Sequence, residues 1–120
     1  MKALFDTNIL IDYLNGILEA KTELALYKDK AISIITWMAV QVGTEPEEQV
    51  PVDNFLLEFE IISVDTQVSV QAVALRKQKN IKLPDAIIWA TAQVSHRLLV
   101  TRNSTDFTAA HPGVRIPYVL

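Results

Sequence analysis

At 120 residues the chain has the length of one domain, expected to run from 1 to 120; half its residues are apolar and 21% are charged, so it is no disordered tail. The absence of cysteine excludes disulfides, thiolate zinc sites and cysteine nucleophiles together. A net charge of −3 argues against a non-specific nucleic-acid coat, and the longest apolar run, around Ile32 to Val42, is too short to span a bilayer.

Lys2 to Phe5 is a short apolar strand, and Thr7 or Asn8 stands where it can cap a helix reaching about Asn15, stopped by Gly16. No basic and apolar leader precedes this strand, so the cytoplasm is the expected location. A second helix is predicted from about Leu18 to Tyr27. Ala31 to Thr36 is a β-rich run that continues into a helix ending near Gly43. Thr44 to Pro51 carries charges and two prolines and reads as a loop. Val52 to Phe59 reads as a short helix, and Glu60 to Val64 as a third strand. Thr66 to Asn80 is helical with a basic end. Pro84 opens the next helix, through about Ser95. Arg97 to Thr101 is a fourth strand and Ile116 to Leu120 a fifth. Strands alternating with helices predict a mainly parallel sheet covered on both faces, with ligands bound beyond the carboxyl ends of the strands.

Three carboxylates fall at that edge. Asp6 follows the first strand, Asp85 sits in the first turn opened by Pro84, and Asp106 lies in the loop after the fourth strand. A carboxylate beside an apolar core is costly unless a cation or a set of donors holds it. Each also has an ordinary explanation: Asp6 as a helix cap, Asp85 as a charge complementing the helix dipole, Asp106 as a loop residue. Together they suggest one pocket for Mg²⁺ or Mn²⁺, which take hard oxygen ligands. Asn103 is a neutral oxygen candidate beside them, Thr7 or Thr101 a candidate to position water, and Arg102 a candidate phosphate contact.

The charge is unevenly spread. Residues 1–60 hold 4 Lys/Arg against 11 Asp/Glu, a balance of −7; residues 61–120 hold 7 against 3, a balance of +4. A basic half beside an acidic pocket suits steering of a phosphodiester. Arg76, Lys77, Lys79 and Lys82 equally suit a solvated helix C-terminus and its exit. His96 and His111 lack a second histidine at zinc spacing. Trp37 and Trp89, inside apolar runs, are expected to be core or interface residues.

DTNILIDYL, IITWM, LPDAIIWATA and LLVTRNSTDF, in that order over nearly the whole chain, resemble a PIN domain of the VapC toxin ribonuclease type. The resemblance implies a three-layer α/β/α sandwich and Mg²⁺- or Mn²⁺-dependent RNA cleavage. It also implies a homodimer and a cognate VapB-like antitoxin that blocks the site. By it, Asp6, Asp85 and Asp106 are catalytic, and with Asn103 they complete the metal-binding cluster.

One position departs from that pattern. Where the family usually has a glutamate after the second strand, this chain has Ala39, which has no oxygen to offer. Gln41 lies about 200° round the helix from it and Glu45 about 240° round from it, past Gly43, so neither substitutes. A natural loss and a deliberate exchange made to spare an expression host both fit. The expected function is thus an endoribonuclease toxin impaired at Ala39, or a catalytically silent module that binds RNA or antitoxin without cleaving. A phosphoacceptor receiver domain, which also has acids at strand ends, wants paired acids after the first strand and a late lysine; DTN and Arg102 stand there instead.

Overall fold

The computed structural model describes residues 1–120. Five strands form one sheet: β1 (Lys2–Phe5), β2 (Asp29–Ser33), β3 (Glu60–Ile62), β4 (Leu98–Val100) and β5 (Val114–Arg115). Their order is β3-β2-β1-β4-β5, and every neighbouring pair is parallel. The helices are α1 (Thr7–Leu14), α2 (Leu18–Ala25), α3 (Ile34–Val42), α4 (Gln49–Leu56), α5 (Thr66–Lys79) and α6 (Leu83–Val94).

Side chains alternate across a strand, and β1 shows what that does. Ala3 and Phe5 point into a core shared with Ile9, Leu10, Val52 and Phe55, under α1 to α4. Leu4 points the other way, into a core with Val68, Leu75, Trp89 and Phe107, under α5 and α6. The result is the three-layer α/β/α sandwich expected from the strand–helix alternation. Phe5 meets Tyr27 and Phe59 edge to face, with ring centroids 5.4 and 6.0 Å apart.

Several boundaries differ from the sequence reading. β2 ends at Ser33, not Thr36, because the Ser33 hydroxyl accepts from the Ile35 amide and starts α3. The cap outweighs the β preference of Ile34 and Ile35. Part of the expected Thr44–Pro51 loop is a 3₁₀ turn at Pro46–Glu48 followed by α4 from Gln49, with Pro51 in a first turn that needs no amide from it. The fifth strand lies at Val114–Arg115 rather than Ile116–Leu120. Pro117 cannot donate to a ladder, and the next residue, Tyr118, turns to hydrogen-bond Asp12.

Long-range ion pairs join the acidic first half of the chain to the basic second half. Asp12 of α1 is buried and takes two hydrogen bonds from the Arg102 guanidinium and one from the Tyr118 hydroxyl. Glu23 of α2 is buried and takes two from Arg115 and one from Tyr27. Arg97, itself buried, binds Asp29 and approaches Glu60. Acids of the first half thus neutralise three arginines of the second. Burial alone would push the Asp12 and Glu23 carboxyls up; their hydrogen bonds outweigh it and hold both below the usual carboxylate range. A depressed native pKa adds stability above the unfolded value, near 4, that is lost as pH falls through the native one. Asp12→Ala, which orphans Arg102 and Tyr118, is expected to cost about 2–4 kcal/mol at pH 7, read from the urea midpoint. That deficit should shrink on acidification below about pH 4.

Candidate active site

The strand order reverses direction between β1 and β4, which open a crevice at their carboxyl ends. Asp6 is the first residue past β1, and its amide donates to the Val100 carbonyl of β4 at 2.9 Å. Its carboxylate caps α1 by accepting from the Thr7 amide at 2.7 Å. The other oxygen accepts from the Thr101 hydroxyl at 2.7 Å and the Asn8 amide at 3.3 Å. Capping and site membership therefore coexist in one residue, and neither Thr7 nor Asn8 is the cap. Asp6 is only 4% exposed, and burial raises its pKa against the pull of these hydrogen bonds.

Helix α6 leads into β4, so it runs back along the sheet and its first turn lies at the crevice. Pro84 sits there without the need for an amide donor, and Asp85 follows it. Trp89, one turn on, is buried and packs edge to face on Phe107 at 5.3 Å. That contact anchors the loop after β4 against α6. The loop is further shaped by Asn103, whose Oδ1 accepts from the Thr105 and Asp106 amides and whose Nδ2 donates to the Asp106 carboxylate at 3.0 Å.

The carboxyl groups sense one another. Partial burial, then a hydrogen bond shared with Asp106, then the Asp6 and Asp106 charges push the Asp85 carboxyl up to about 6. Asp106 is held low, first by the Asn103 amide and then by Asp85. The three acids stand at one edge of the sheet, and they do not form a ready-made three-ligand metal nest. Their hard oxygens and mutual repulsion suit Mg²⁺ or Mn²⁺. Asn103 fits that ligand set less well than the sequence suggested, because its oxygen is occupied by two backbone donors; it orients Asp106.

The family model of the PIN domain matches residues 3–110. This chain belongs to the PIN-domain family. A search of curated proteins finds no match. Among solved structures, it is similar to a chain of a toxin–antitoxin complex from Klebsiella pneumoniae at 47% identity, over 99% of this chain and 100% of that one, with a TM-score of 0.93. It is also similar to a chain of VapBC2 from Rickettsia felis bound to a promoter DNA fragment, at 26% identity over 95% and 96% of the two chains, TM-score 0.76. FitAcB from Neisseria gonorrhoeae, at 22% identity over 98% and 99%, shares the fold with a TM-score of 0.82. The four sequence motifs and the family match point to the same fold.

Within the PIN domain, Ala39 lies on α3 one turn beyond Thr36, a buried residue whose hydroxyl is 2.9 Å from that of Thr7, the neighbour of Asp6. Ala39 lines a groove with Ile11 and Leu14 of α1. Helical side chains lean toward the N-terminus, so a longer one at 39 would extend back toward the Thr7–Thr36 pair. Gln41 is engaged elsewhere, with Asp53 and Gln49, and does not supply the missing oxygen. Arg102, the candidate phosphate contact, is closed in a two-point pair with Asp12 and has lost most of its value as a free cation. Lys82, just before α6, is the cation whose charge reaches both Asp85 and Asp106. It went unassigned in the sequence because it reads as part of the basic exit of α5. Trp89 is core as expected and Trp37 is half-buried against the other core. His111 packs on Trp89 with ring centroids 5.0 Å apart and accepts from the Thr108 amide. No helix is long and apolar enough to cross a membrane.

Proposed function

We propose that this 1–120 domain is a divalent-metal-dependent endoribonuclease toxin of the VapC type, neutralised by a cognate antitoxin and impaired by Ala39. The reading is supported by the placement of Asp6 just past β1, Asp85 in the first turn of α6 and Asp106 in the loop after β4, all at the switch-point edge of the sheet. It is also supported by an Asp85 carboxyl pushed up first by burial and then by its acidic neighbours. Asp6, Asp85 and Asp106 would hold Mg²⁺ or Mn²⁺, which when bound supplies an activated water and neutralises charge on the phosphoryl group. The residues of this chain do the rest. Thr101 and Asn8 fix one Asp6 oxygen, Asn103 fixes Asp106, and Phe107 holds their loop on α6. Lys82, rather than Arg102, is the cation available to the scissile phosphate. The toxin–antitoxin complexes among the structural relatives support an antitoxin partner. Ile11, Leu14, Met38 and Val42 are exposed apolar residues on α1 and α3 suited to that partner or to a second copy in a homodimer. Such a toxin works in the cytoplasm, where its RNA is.

Mn²⁺ is expected to raise the melting temperature by about 4–8 °C once present at roughly ten times its dissociation constant, with EDTA reversing the shift. RNA incubated with the same protein should be cut slowly and only with the metal present. A metal-induced shift with no cleavage at any protein concentration selects the second reading, a silent module that binds RNA or antitoxin, which Ala39 itself favours. No shift with either ion removes both the site and the nuclease reading.

A further inference from the structure

Beside the acidic crevice lies a polar pocket of about 340 Å³, a size at the small end of ligand pockets. Asn8 and Asn103 form the wall between them: each lines the pocket and donates to a carboxylate of the crevice, Asn8 to Asp6 at 3.3 Å and Asn103 to Asp106 at 3.0 Å. Whatever fills the pocket is thus a direct neighbour of the reacting group. The far wall is Val119 and Leu120, an apolar surface held in place by Tyr118, whose hydroxyl donates to Asp12 at 2.8 Å.

The free groups facing this space are few. Both Asn8 and Asn103 amides are used within the chain. Arg102 spends Nε and Nη2 on Asp12, leaving Nη1 as its open donor. The hydroxyls of Ser104 and Thr105 form no hydrogen bond within the chain, and both residues are exposed. The charge of Arg102 is cancelled by Asp12, and carboxylates stand behind the asparagine wall. A phosphate would find no net positive charge here. A neutral ligand rich in hydroxyls and carbonyls would find one donor and two groups that can both donate and accept.

We infer that this pocket seats the nucleoside flanking the cleaved phosphate of a single-stranded RNA, with Ser104 and Thr105 reading its ribose hydroxyl and Val119–Leu120 supporting the base. The 2′-hydroxyl is the group by which a protein tells RNA from DNA, and it is both donor and acceptor, as these side chains are. The inference takes its substrate class from the nuclease reading and adds to it where discrimination against DNA resides.

The test uses binding, so it needs no turnover. A short labelled single-stranded RNA and its deoxyribose counterpart are titrated by fluorescence anisotropy against the parent chain and the S104A/T105V double variant, with Mn²⁺ present. The two side chains are exposed and unbonded, so the variant should fold like the parent. Its RNA affinity should fall roughly five- to tenfold, with little change for DNA, and its Mn²⁺-induced thermal shift should stay intact. An unchanged RNA-to-DNA ratio, or a parent with no RNA preference to lose, overturns the pocket reading. Neither result touches the nuclease reading, which the Mn²⁺ shift and cleavage by an Ala39→Glu chain decide separately.

Discussion

Placing glutamate at position 39 is expected to raise Mn²⁺-dependent RNA cleavage by about ten- to a hundredfold over the parent chain, the range over which loss of one supporting group at a metal site is usually felt. The reason is directional. Ala39 sits one turn past Thr36 on α3, and a glutamate there would lean back along the helix toward Thr7, the residue whose amide Asp6 caps. The site has hard anionic oxygens on the β1, α6 and loop sides and none on the α3 side. A fourth carboxylate would add metal affinity while increasing repulsion in its absence, so the metal-free fold should lose a little stability and the Mn²⁺-induced thermal shift should grow. Ala39 is exposed, so the larger side chain displaces no core residue. Side-by-side cleavage time courses and Mn²⁺ melting curves decide it. A variant that folds, binds Mn²⁺ no better and cleaves no faster would remove position 39 from the mechanism and leave the silent-module reading in its place.

The legible part of this protein was the part written in local pattern. The apolar strand before Asp6, the proline-opened α6 and the turn residues after β4 each announce themselves within a few positions, and each puts an acid at a strand or helix end. Alternation then places those ends at one sheet edge. The partnerships across the chain were not legible. Asp12 and Arg102 are 90 positions apart and Glu23 and Arg115 are 92, and no spacing rule links them. A signal did exist for Asp12: it falls within ILIDYL, three residues after Ile9 on the buried side of α1, where an acid demands a partner. The shifted fifth strand has a different cause, since Val114 and Arg115 are tied down by contacts with the second core and with Glu23, neither of which is local in sequence. Ser33 is the reverse case, a local cap beating a run of β-formers.

Asp85→Asn should separate function from folding. Its carboxyl has a native pKa pushed up to about 6, against roughly 4 in the unfolded chain. A raised carboxylate pKa makes the native state bind protons more tightly. The ionised residue therefore weakens the metal-free fold, by an amount that grows as pH climbs from about 4 to 6 and is constant above that. Removing the charge should lift stability at pH 7–8 by about 1–2 kcal/mol, after discounting for the half-open setting of the group, and should leave stability near pH 4 almost unchanged. Metal binding and cleavage should be lost together, because the neutral amide is a poor replacement for a carboxylate on a hard cation. Asp6→Ala should behave in the opposite sense. It removes the cap of α1 and the acceptor for Thr101 and Asn8, so it should cost about 1–3 kcal/mol at neutral pH while also abolishing activity. Urea unfolding of both variants across pH, without metal, distinguishes the two acids. If Asp85→Asn is destabilised at pH 8, the repulsion between Asp85, Asp106 and Asp6 is not what shapes this site, and the case for a cation between them weakens with it.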